Sequence, residues 1–300
     1  MTKGLLFDKI RSITEVIFMA VIIDGKALAA KICAEVAQEA AKLPRKPKLA
    51  AVLVGNDPAS QIYVRNKEKD CVKCGIDSVR CDLPGNTTQQ ELLALVDKLN
   101  DDESVDGILV QLPLPGHIDE SVVINAIKPD KDIDAFHPMN VGRMIVGEPA
   151  LWPCTPTGIM EMFKEYGISL DGKVCVMVGR SNIVGRPMAL LMLRANGTVI
   201  CCHSHTQNLA EMTRQADVLV VAAGSPRLIT GDMVKEGAAV IDVAMNRDPE
   251  TGKFFGDVVF DEVEKKAAYI TPVPGGVGPM TRAMLMKNIL TAAQQHRQEI

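Results

Sequence analysis

The sequence predicts an α/β protein of two domains with a cleft between them. Short apolar runs alternate with amphipathic stretches along the chain, a pattern that favours parallel strands joined by crossover helices. One of these runs leads through a glycine-containing turn at residues 179–185 into a helix-like stretch. A length of 300 residues is enough for two ordinary domains.

The composition argues against several classes of protein. Hydrophobic residues make up 47% and charged residues 23% of the chain, which is typical of soluble globular proteins. The net charge of −4 gives no electrostatic basis for binding nucleic acid. Because no apolar run approaches the ~20 residues of a transmembrane helix, we expect neither a nucleic-acid nor a membrane partner.

The eight cysteines show no disulfide framework. Several lie in apolar stretches, which favours free thiols in a reducing cytoplasm. Cys71 and Cys74 have the spacing of a redox or metal site, but no second pair or nearby histidine completes one. We therefore interpret this pair as structural, and we expect no metal.

Residues 1–18 mix charged and apolar residues, without a secretory apolar region or a cleavage site. Met19 opens a more regular pattern. We interpret residues 1–18 as an extension to the fold, and an amphipathic helix that caps the first domain is the alternative.

The N-terminal half alternates between the two kinds of element. Its patterns predict helices at 26–43, 58–75 and 88–100, and strands at 48–54 and 105–111. Gly75 suits the end of a helix, and Pro113 stops the ladder of the second strand. The segment 130–156 is rich in proline and glycine and lacks steady periodicity, so we expect it to hold the domain junction.

The second half repeats the alternation of strands and helices more regularly. It predicts strands at 173–178, 198–202, 218–222 and 238–243, and helices at 157–166, 185–195, 208–215, 230–235 and 281–298. The last helix is long enough to return to the first domain. We therefore predict a first domain of residues 19–156 plus 281–300 and a Rossmann-type second domain of residues 157–280.

The turn at 179–185 has the context of a dinucleotide phosphate loop, because it follows a buried strand and opens a helix. A helix N-terminus offers free N–H groups and partial positive charge to a pyrophosphate. Gly179 can make the tight turn and Gly185 can allow close packing, but Ser181 replaces the usual middle glycine. An ordinary strand–helix turn is the alternative.

The residues around this loop favour NADP over NAD. NAD sites usually carry an acid after the second strand of the unit, and here that strand leads into His203-Ser204-His205 without one. A cation and two hydroxyls, from Arg180, Ser181 and Ser204, suit a 2′-phosphate.

Polar side chains in the first domain suggest a second ligand site. Tyr63 and Lys67 are four residues apart and so share one helix face, although a solvated lysine beside a half-buried tyrosine is the alternative. Gln111 ends a buried strand at the carboxyl edge, where open α/β sheets bind ligands. Asp132 and Asp134 lie in the irregular segment beyond it, where loop solvation competes with a ligand role.

The segment 271–281 is a further candidate. Its three prolines and three glycines form a stiff loop that can approach a ligand closely before it enters the final helix. We expect it at the cleft, and a plain interdomain linker is the alternative.

Four motifs together resemble one enzyme family. They are Ser60-x-x-Tyr63-x-x-x-Lys67, Val110-Gln111-Leu112-Pro113-Leu114-Pro115, Gly179-Arg180-Ser181-x-x-Val184-Gly185, and the segment from Pro272 to Thr281. The chain resembles the bifunctional methylenetetrahydrofolate dehydrogenase/methenyltetrahydrofolate cyclohydrolase family from about Val21 to Ala293. The resemblance implies an N-terminal folate-binding domain, an NADP-binding domain, a homodimer and a cytoplasmic location.

The resemblance also implies roles for individual residues. Lys67 resembles the catalytic lysine, Gln111 would assist it, Tyr63 would stack on the folate, and Asp134 would hold the pterin. The residues implied to line the folate cleft are Val110, Leu112, Pro274, Gly275, Gly276, Gly278 and Pro279. Those implied to hold NADP are Gly179, Arg180, Ser181 and Ser204, with Met245 near the nicotinamide.

Three departures from the family pattern stand out. Ala135 follows Asp134 where glycine is usual, Ala244-Met245 replaces glycine and a β-branched residue, and His137-Pro138 lies in a variable stretch. None removes a catalytic group. Another NADP-dependent reductase, acting on a small acid, would not need Tyr63, Lys67 and Gln111 to converge. A non-catalytic NADP-binding protein would tolerate the loss of Lys67.

Overall fold

The computed structural model describes residues 19–148 and 151–298. The described chain forms two parallel sheets flanked by helices, which confirms the predicted α/β class. The extension predicted at residues 1–18 lies outside the described residues. No helix in the described part of the chain is long and apolar enough to span a membrane.

The first sheet has the strand order β3-β2-β4 and is parallel throughout. Its strands are β2 Lys48–Val54, β3 Asp77–Leu83 and β4 Gly107–Val110. The strands β2 and β4 were predicted from their apolar runs, whereas β3 was not. As an edge strand, β3 is exposed or half-buried along its length and carries charged residues, so it lacks the apolar run of a buried strand.

Helices cover this sheet, and residues at their ends carry the capping signals that start or stop them. They are α1 Gly25–Ala40, α2 Pro58–Lys73, α3 Gln89–Asp101, α4 Glu120–Ala126 and α5 Pro138–Val146. Thr88 and Glu91 form a reciprocal capping box at the start of α3. The helix α5 corrects the expectation of an irregular segment at 130–156: His137 Nδ1 accepts the Met139 N–H at 3.0 Å, and Gly147 ends the helix with φ +86°.

The second sheet has the order β1-β11-β8-β7-β5-β6. Its strands are β1 Val21–Ile22, β5 Val174–Val178, β6 Thr198–Cys202, β7 Val218–Val221, β8 Ala239–Asp242 and β11 Tyr269–Ile270, beside a hairpin of β9 Asn246–Arg247 and β10 Phe254–Phe255. The four predicted strands are confirmed. The strands β1 and β11 were missed, because two residues are too few to show a period.

The helices of the second half are α6 Cys154–Glu165, α7 Gly185–Arg194, α8 Leu209–Thr213, α9 Phe260–Val263 and α10 Val277–Gln298. The helix predicted at 230–235 is only a 3₁₀ turn at Gly231–Met233. The final helix begins four residues earlier than predicted, because Pro279 is tolerated in a first helical turn.

The helix α10 packs against α1, α2 and α6. Lys287 Nζ reaches Glu161 of α6 at 2.7 Å. One core cluster contains Leu53 of β2, Met177 of β5 and Ile289 of α10, so the two sheets share apolar packing through this helix. The division of the chain at the predicted domain boundaries stays a prediction.

A buried carboxylate ties the end of α10 to the first sheet. Asp106 has no exposed surface and accepts hydrogen bonds from Arg45 Nη1 at 2.7 Å and from the Lys48 N–H at 2.9 Å. His296 Nδ1 and Arg297 Nη2 lie 3.6 and 3.7 Å from its oxygens. Burial alone would raise the pKa of Asp106, but the nearby His296 and the hydrogen bonds from Arg45 hold it below its usual value.

The stability of the protein should depend on the charge of His296. The carboxylates of Asp106 and Asp130 raise the pKa of His296 to about 9, against about 6.5 in an unfolded chain. The stabilisation from His296 is therefore complete below about pH 6.5 and is lost as pH rises through about 9. We expect the difference in unfolding free energy between wild type and His296→Gln, measured in urea, to shrink across this window. A difference that stays constant with pH would contradict the assignment.

Candidate active site

The helix α2 presents the two residues that the sequence placed on one face. Asp57 caps this helix by accepting the Ser60 N–H at 2.7 Å, and Pro58 occupies its first turn. Tyr63 is 42% exposed, so its ring is open to a ligand, whereas Lys67 one turn later is half-buried. The pair therefore points out of the first domain rather than into its core.

Gln111 meets Lys67 at the carboxyl end of β4. Lys67 Nζ donates to Gln111 Oε1 at 3.2 Å, and Gln111 Nε2 donates to the Leu112 carbonyl at 2.6 Å. These two contacts fix the orientation of the amide, because its nitrogen faces an acceptor and its oxygen faces a cation. The flanking Val110 is buried and Leu112 is half-buried.

Asp134 lies beside this pair. Burial raises the pKa of its carboxyl, and the Lys67 ammonium opposes the rise, which is the signature of a desolvated acid near a cation. The structure thus brings Lys67, Gln111 and Asp134 together from three separate segments.

Asp132 has a different role from Asp134. It is 3% exposed and accepts from the His137 N–H at 2.8 Å and from Asn140 Nδ2 at 3.1 Å. Burial raises the pKa of Asp132 to about 6. It is therefore a buried structural acid, and solvation in a loop does not describe it.

Ala135, where the family pattern has glycine, is held in a strained backbone conformation. It is fully buried and adopts φ +59°, a left-handed conformation that costs a non-glycine residue about 1–2 kcal/mol. Its N–H donates to the Asp132 carbonyl at 3.0 Å. The backbone next to Asp134 is therefore a tight, strained turn.

The segment 271–276 and the first turn of α10 lie between the second sheet and α2. A side chain at Gly276 would have its Cβ 2.7 Å from the Pro272 carbonyl oxygen, so only glycine fits there. Gly278 has open space beside it, and Pro274 is exposed. Arg282 Nε lies 3.3 Å from Asp70 Oδ2, one turn beyond Lys67, which brings the predicted loop next to the lysine helix.

The predicted phosphate loop follows β5. Gly179 adopts φ +125°, and its N–H donates to the Cys202 carbonyl at 2.8 Å. Ser181 Oγ accepts from the N–H groups of Val184 and Gly185 at 3.2 Å each, so this hydroxyl caps the start of α7. A side chain at Gly185 would overlap the Gly179 carbonyl, which confirms the close packing inferred for this glycine.

The other predicted cofactor residues lie at the same edge of the second sheet. Ser204 follows β6 and Met245 follows β8, and both are exposed, as is Arg180. Desolvation and the nearby Arg180 guanidinium lower the pKa of His203, so Arg180 lies close to the end of β6. The edge thus presents a cation and hydroxyls beside a helix N-terminus.

A cavity and a pair of cysteines lie outside the Lys67 site and the cofactor edge. A cavity of about 350 Å³ is lined by Arg227, Asp242 and Phe255 among others, and by Thr271 and Val273 of the candidate segment 271–281. Cys71 and Cys74 are buried free thiols. Within residues 19–148 and 151–298, no group of three or more histidine, cysteine or acidic residues could hold a metal.

The chain matches two family models. Residues 23–134 match the catalytic domain of tetrahydrofolate dehydrogenase/cyclohydrolase. Residues 153–297 match the NAD(P)-binding domain of the same family.

Several relatives are similar over nearly their whole length. The "Bifunctional protein FolD" of Acetivibrio thermocellus is 55% identical over 278 residues, which cover 92% of this chain and 97% of the relative. The protein of that name from Streptococcus gordonii is 57% identical, with coverage of 91% and 98%.

Solved structures of similar enzymes superpose on nearly the whole chain. The bifunctional methylenetetrahydrofolate dehydrogenase/cyclohydrolase of Campylobacter jejuni superposes with a TM-score of 0.91 at 52% identity, covering 92% of this chain and 99% of that one. A Trypanosoma brucei enzyme, solved with NADP cofactor and an inhibitor, has a TM-score of 0.88 at 42% identity, with coverage of 92% and 98%.

Proposed function

Because this chain belongs to the tetrahydrofolate dehydrogenase/cyclohydrolase family and is a bifunctional enzyme of that family, we propose that one cleft carries both of its activities. The first is oxidation of 5,10-methylenetetrahydrofolate to 5,10-methenyltetrahydrofolate with NADP. The second is hydrolysis of that product to 10-formyltetrahydrofolate. The contact of Lys67 Nζ with Gln111 Oε1 beside Asp134 carries the proposal.

The folate occupies the space between α2 and the segment 271–282. Asp134, a desolvated acid, accepts N–H bonds from the pterin, and the exposed Tyr63 ring stacks on the folate. Val110, Leu112 and the backbone of Pro274, Gly275, Gly276, Gly278 and Pro279 line the cleft. This arrangement supplies alignment, which is most of what a hydride transfer needs.

Lys67 acts in the hydrolysis of methenyltetrahydrofolate. Attack of water on the methenyl carbon forms a C–O bond and releases one proton, which Lys67 would accept as a general base. Cleavage of the bond between that carbon and N5, with transfer of the hydroxyl proton to N5, leaves the formyl group on N10. Gln111 holds the lysine Nζ on the substrate side through its oxygen.

The residues at the edge of the second sheet fit NADP. The N-terminus of α7 places its partial positive charge beside this loop, which favours a pyrophosphate. Gly179 and Gly185 allow the tight packing of the loop, because a side chain at either position would overlap a backbone carbonyl. Arg180 and Ser204 would hold the 2′-phosphate, Ser181 would order the loop through its capping bonds, and Met245 would contact the nicotinamide. When bound, NADP accepts the hydride of the methylene bridge.

Purified protein mixed with methylenetetrahydrofolate and NADP tests the function. We expect the absorbance of NADPH to rise and methenyltetrahydrofolate to be consumed in turn. Absence of NADPH formation would refute the dehydrogenase assignment, and accumulation of methenyltetrahydrofolate at its spontaneous hydrolysis rate would refute the cyclohydrolase assignment.

The cofactor assignment predicts that Arg180→Ala weakens NADP much more than NAD. Loss of a charge-assisted hydrogen bond to the 2′-phosphate should raise the Kd for NADP by about tenfold or more, with little change for NAD. Arg186→Ala is the matched control, since Arg186 lies in the first turn of α7 and its Nη1 bonds Asn182 Oδ1 at 2.8 Å. Equal losses for the two cofactors would contradict a 2′-phosphate contact.

We also propose that the protein is a cytoplasmic homodimer, as the family resemblance implies. All eight cysteines are free, which is typical of a reducing compartment. Light scattering should give twice the chain mass of 32.4 kDa, and a monomer mass would contradict the dimer.

A further inference from the structure

A buried amide in α10 holds the backbone next to Asp134. Asn288 is 8% exposed, and its Nδ2 donates to the Ile133 carbonyl at 2.8 Å and to the Trp152 carbonyl at 2.9 Å. Both partners are backbone acceptors, so the orientation of the amide is unambiguous. Ile133 immediately precedes Asp134, and Trp152 lies just before α6.

The turn that Asn288 contacts is held from its other side by different groups. The Ile108 N–H of β4 donates to the Lys131 carbonyl at 2.8 Å, and the Asp132 carboxylate takes the His137 N–H at 2.8 Å. Ala135 closes the turn in its left-handed conformation. A strained residue persists only where its surroundings over-determine it, and the Asn288 bond to Ile133 is the contribution that α10 makes.

The same helix, α10, begins in the segment 271–282, which we propose lines the folate site. Val277 and Asn288 are eleven residues apart in α10, about 17 Å along a helix. Between them, Arg282 pairs with Asp70 on the helix of Lys67. One rigid helix therefore contacts the segment 271–276, the helix α2 that carries Lys67, and the turn at 132–135 that carries Asp134.

We infer that Asn288 is a positioning residue that fixes Asp134 relative to the loop at the start of α10. The inference rests on the proposed function, because its effect on turnover passes through the pterin contact of Asp134. Among the described residues, the Asn288 amide donates to Ile133, Trp152 and the Cys154 thiol, and it bonds neither Lys67 nor the cofactor edge. Its loss should therefore act on folate recognition and leave NADP recognition unchanged.

Asn288→Ala and Asn100→Ala provide a matched comparison. Asn100 is 7% exposed, and its amide also joins backbone groups, donating to the Ala126 carbonyl at 2.7 Å and accepting the Lys128 N–H at 2.9 Å. We expect Asn288→Ala to raise KM for methylenetetrahydrofolate about tenfold with KM for NADP unchanged. Asn100→Ala should lower the melting temperature similarly and leave both KM values unchanged. If the two variants change the folate KM equally, or Asn288→Ala leaves it unchanged, the inference fails.

Hydrogen exchange gives a readout that does not need activity. Peptides that cover residues 132–136 should exchange faster in Asn288→Ala than in Asn100→Ala, and equal exchange would overturn the inference. If the alanine variant does not fold, Asn288→Ser, which keeps a short donor, replaces it in both measurements. A wild-type protein that lacks both activities would refute the proposed function, while the exchange experiment would still decide the role of Asn288.

Discussion

Replacing Lys67 with methionine is expected to abolish the cyclohydrolase activity and to spare most of the folate affinity. Methionine keeps the length and apolar body of lysine but cannot take a proton, and a positioned acid–base group contributes ~10²–10⁴-fold to a rate. The dehydrogenase step should lose less, because hydride transfer depends mainly on alignment. Decay of methenyltetrahydrofolate absorbance measures the first effect, and formation of NADPH measures the second.

Lys69→Met is the control for that experiment. Lys69 is an exposed lysine on the same helix, two residues beyond Lys67, so it faces another direction. Its replacement should leave both rates unchanged. Full cyclohydrolase activity in the Lys67 variant would remove this lysine from the mechanism, whatever the dehydrogenase does.

Replacing Asp106 with alanine is expected to destabilise the protein severely. The variant removes the carboxylate oxygens that lie 2.7 and 3.0 Å from the Arg45 guanidinium and takes the acceptor from the Lys48 N–H. It also leaves His296 and Arg297 without the negative charge that they face. Breaking a buried ion pair by removing one partner costs about 3–5 kcal/mol, a large fraction of a typical domain's stability. Urea unfolding followed by circular dichroism measures the loss.

Asp101→Ala is the control for the buried acid. The Asp101 side chain is 81% exposed and pairs with Lys128 at 3.2 Å, and such surface pairs contribute about 0–1 kcal/mol. A loss for Asp106→Ala as small as for Asp101→Ala would mean that the network around Asp106 does not hold α10 to the first sheet.

The elements that the sequence predicted correctly are those whose signal is local. The strands β2, β5, β7 and β8 are buried over most or all of their length, so each reads as an apolar run. The strand β3 lies at an edge, and β1 and β11 exist only because the second sheet extends to pair with them. Such pairing is a tertiary effect that a sequence window does not contain.

The residues of the site also fall into those predicted from local patterns and those missed because their partners are distant in sequence. Helical spacing predicted that Tyr63 and Lys67 share one face, and the apolar run predicted that Gln111 ends a strand. The hydrogen bond between Lys67 and Gln111 confirms that these two side chains meet. Asn288 and Asp106 were missed, since their partners lie 155 and 61 residues away in sequence. An asparagine inside the apolar stretch of the last helix was the one available signal, and it points to a buried partner without identifying it.

The position of α10 in the chain has a consequence for synthesis. A ribosome makes this helix after every strand and helix that it covers, so α1, α2 and β2 emerge with their apolar surface uncovered. The first sheet can form its hydrogen bonds early, but the core cluster that joins Leu53 and Ile289 closes only after α10 has left the ribosome. The nascent chain therefore carries an exposed hydrophobic face until α10 emerges, which is the kind of surface that chaperones protect.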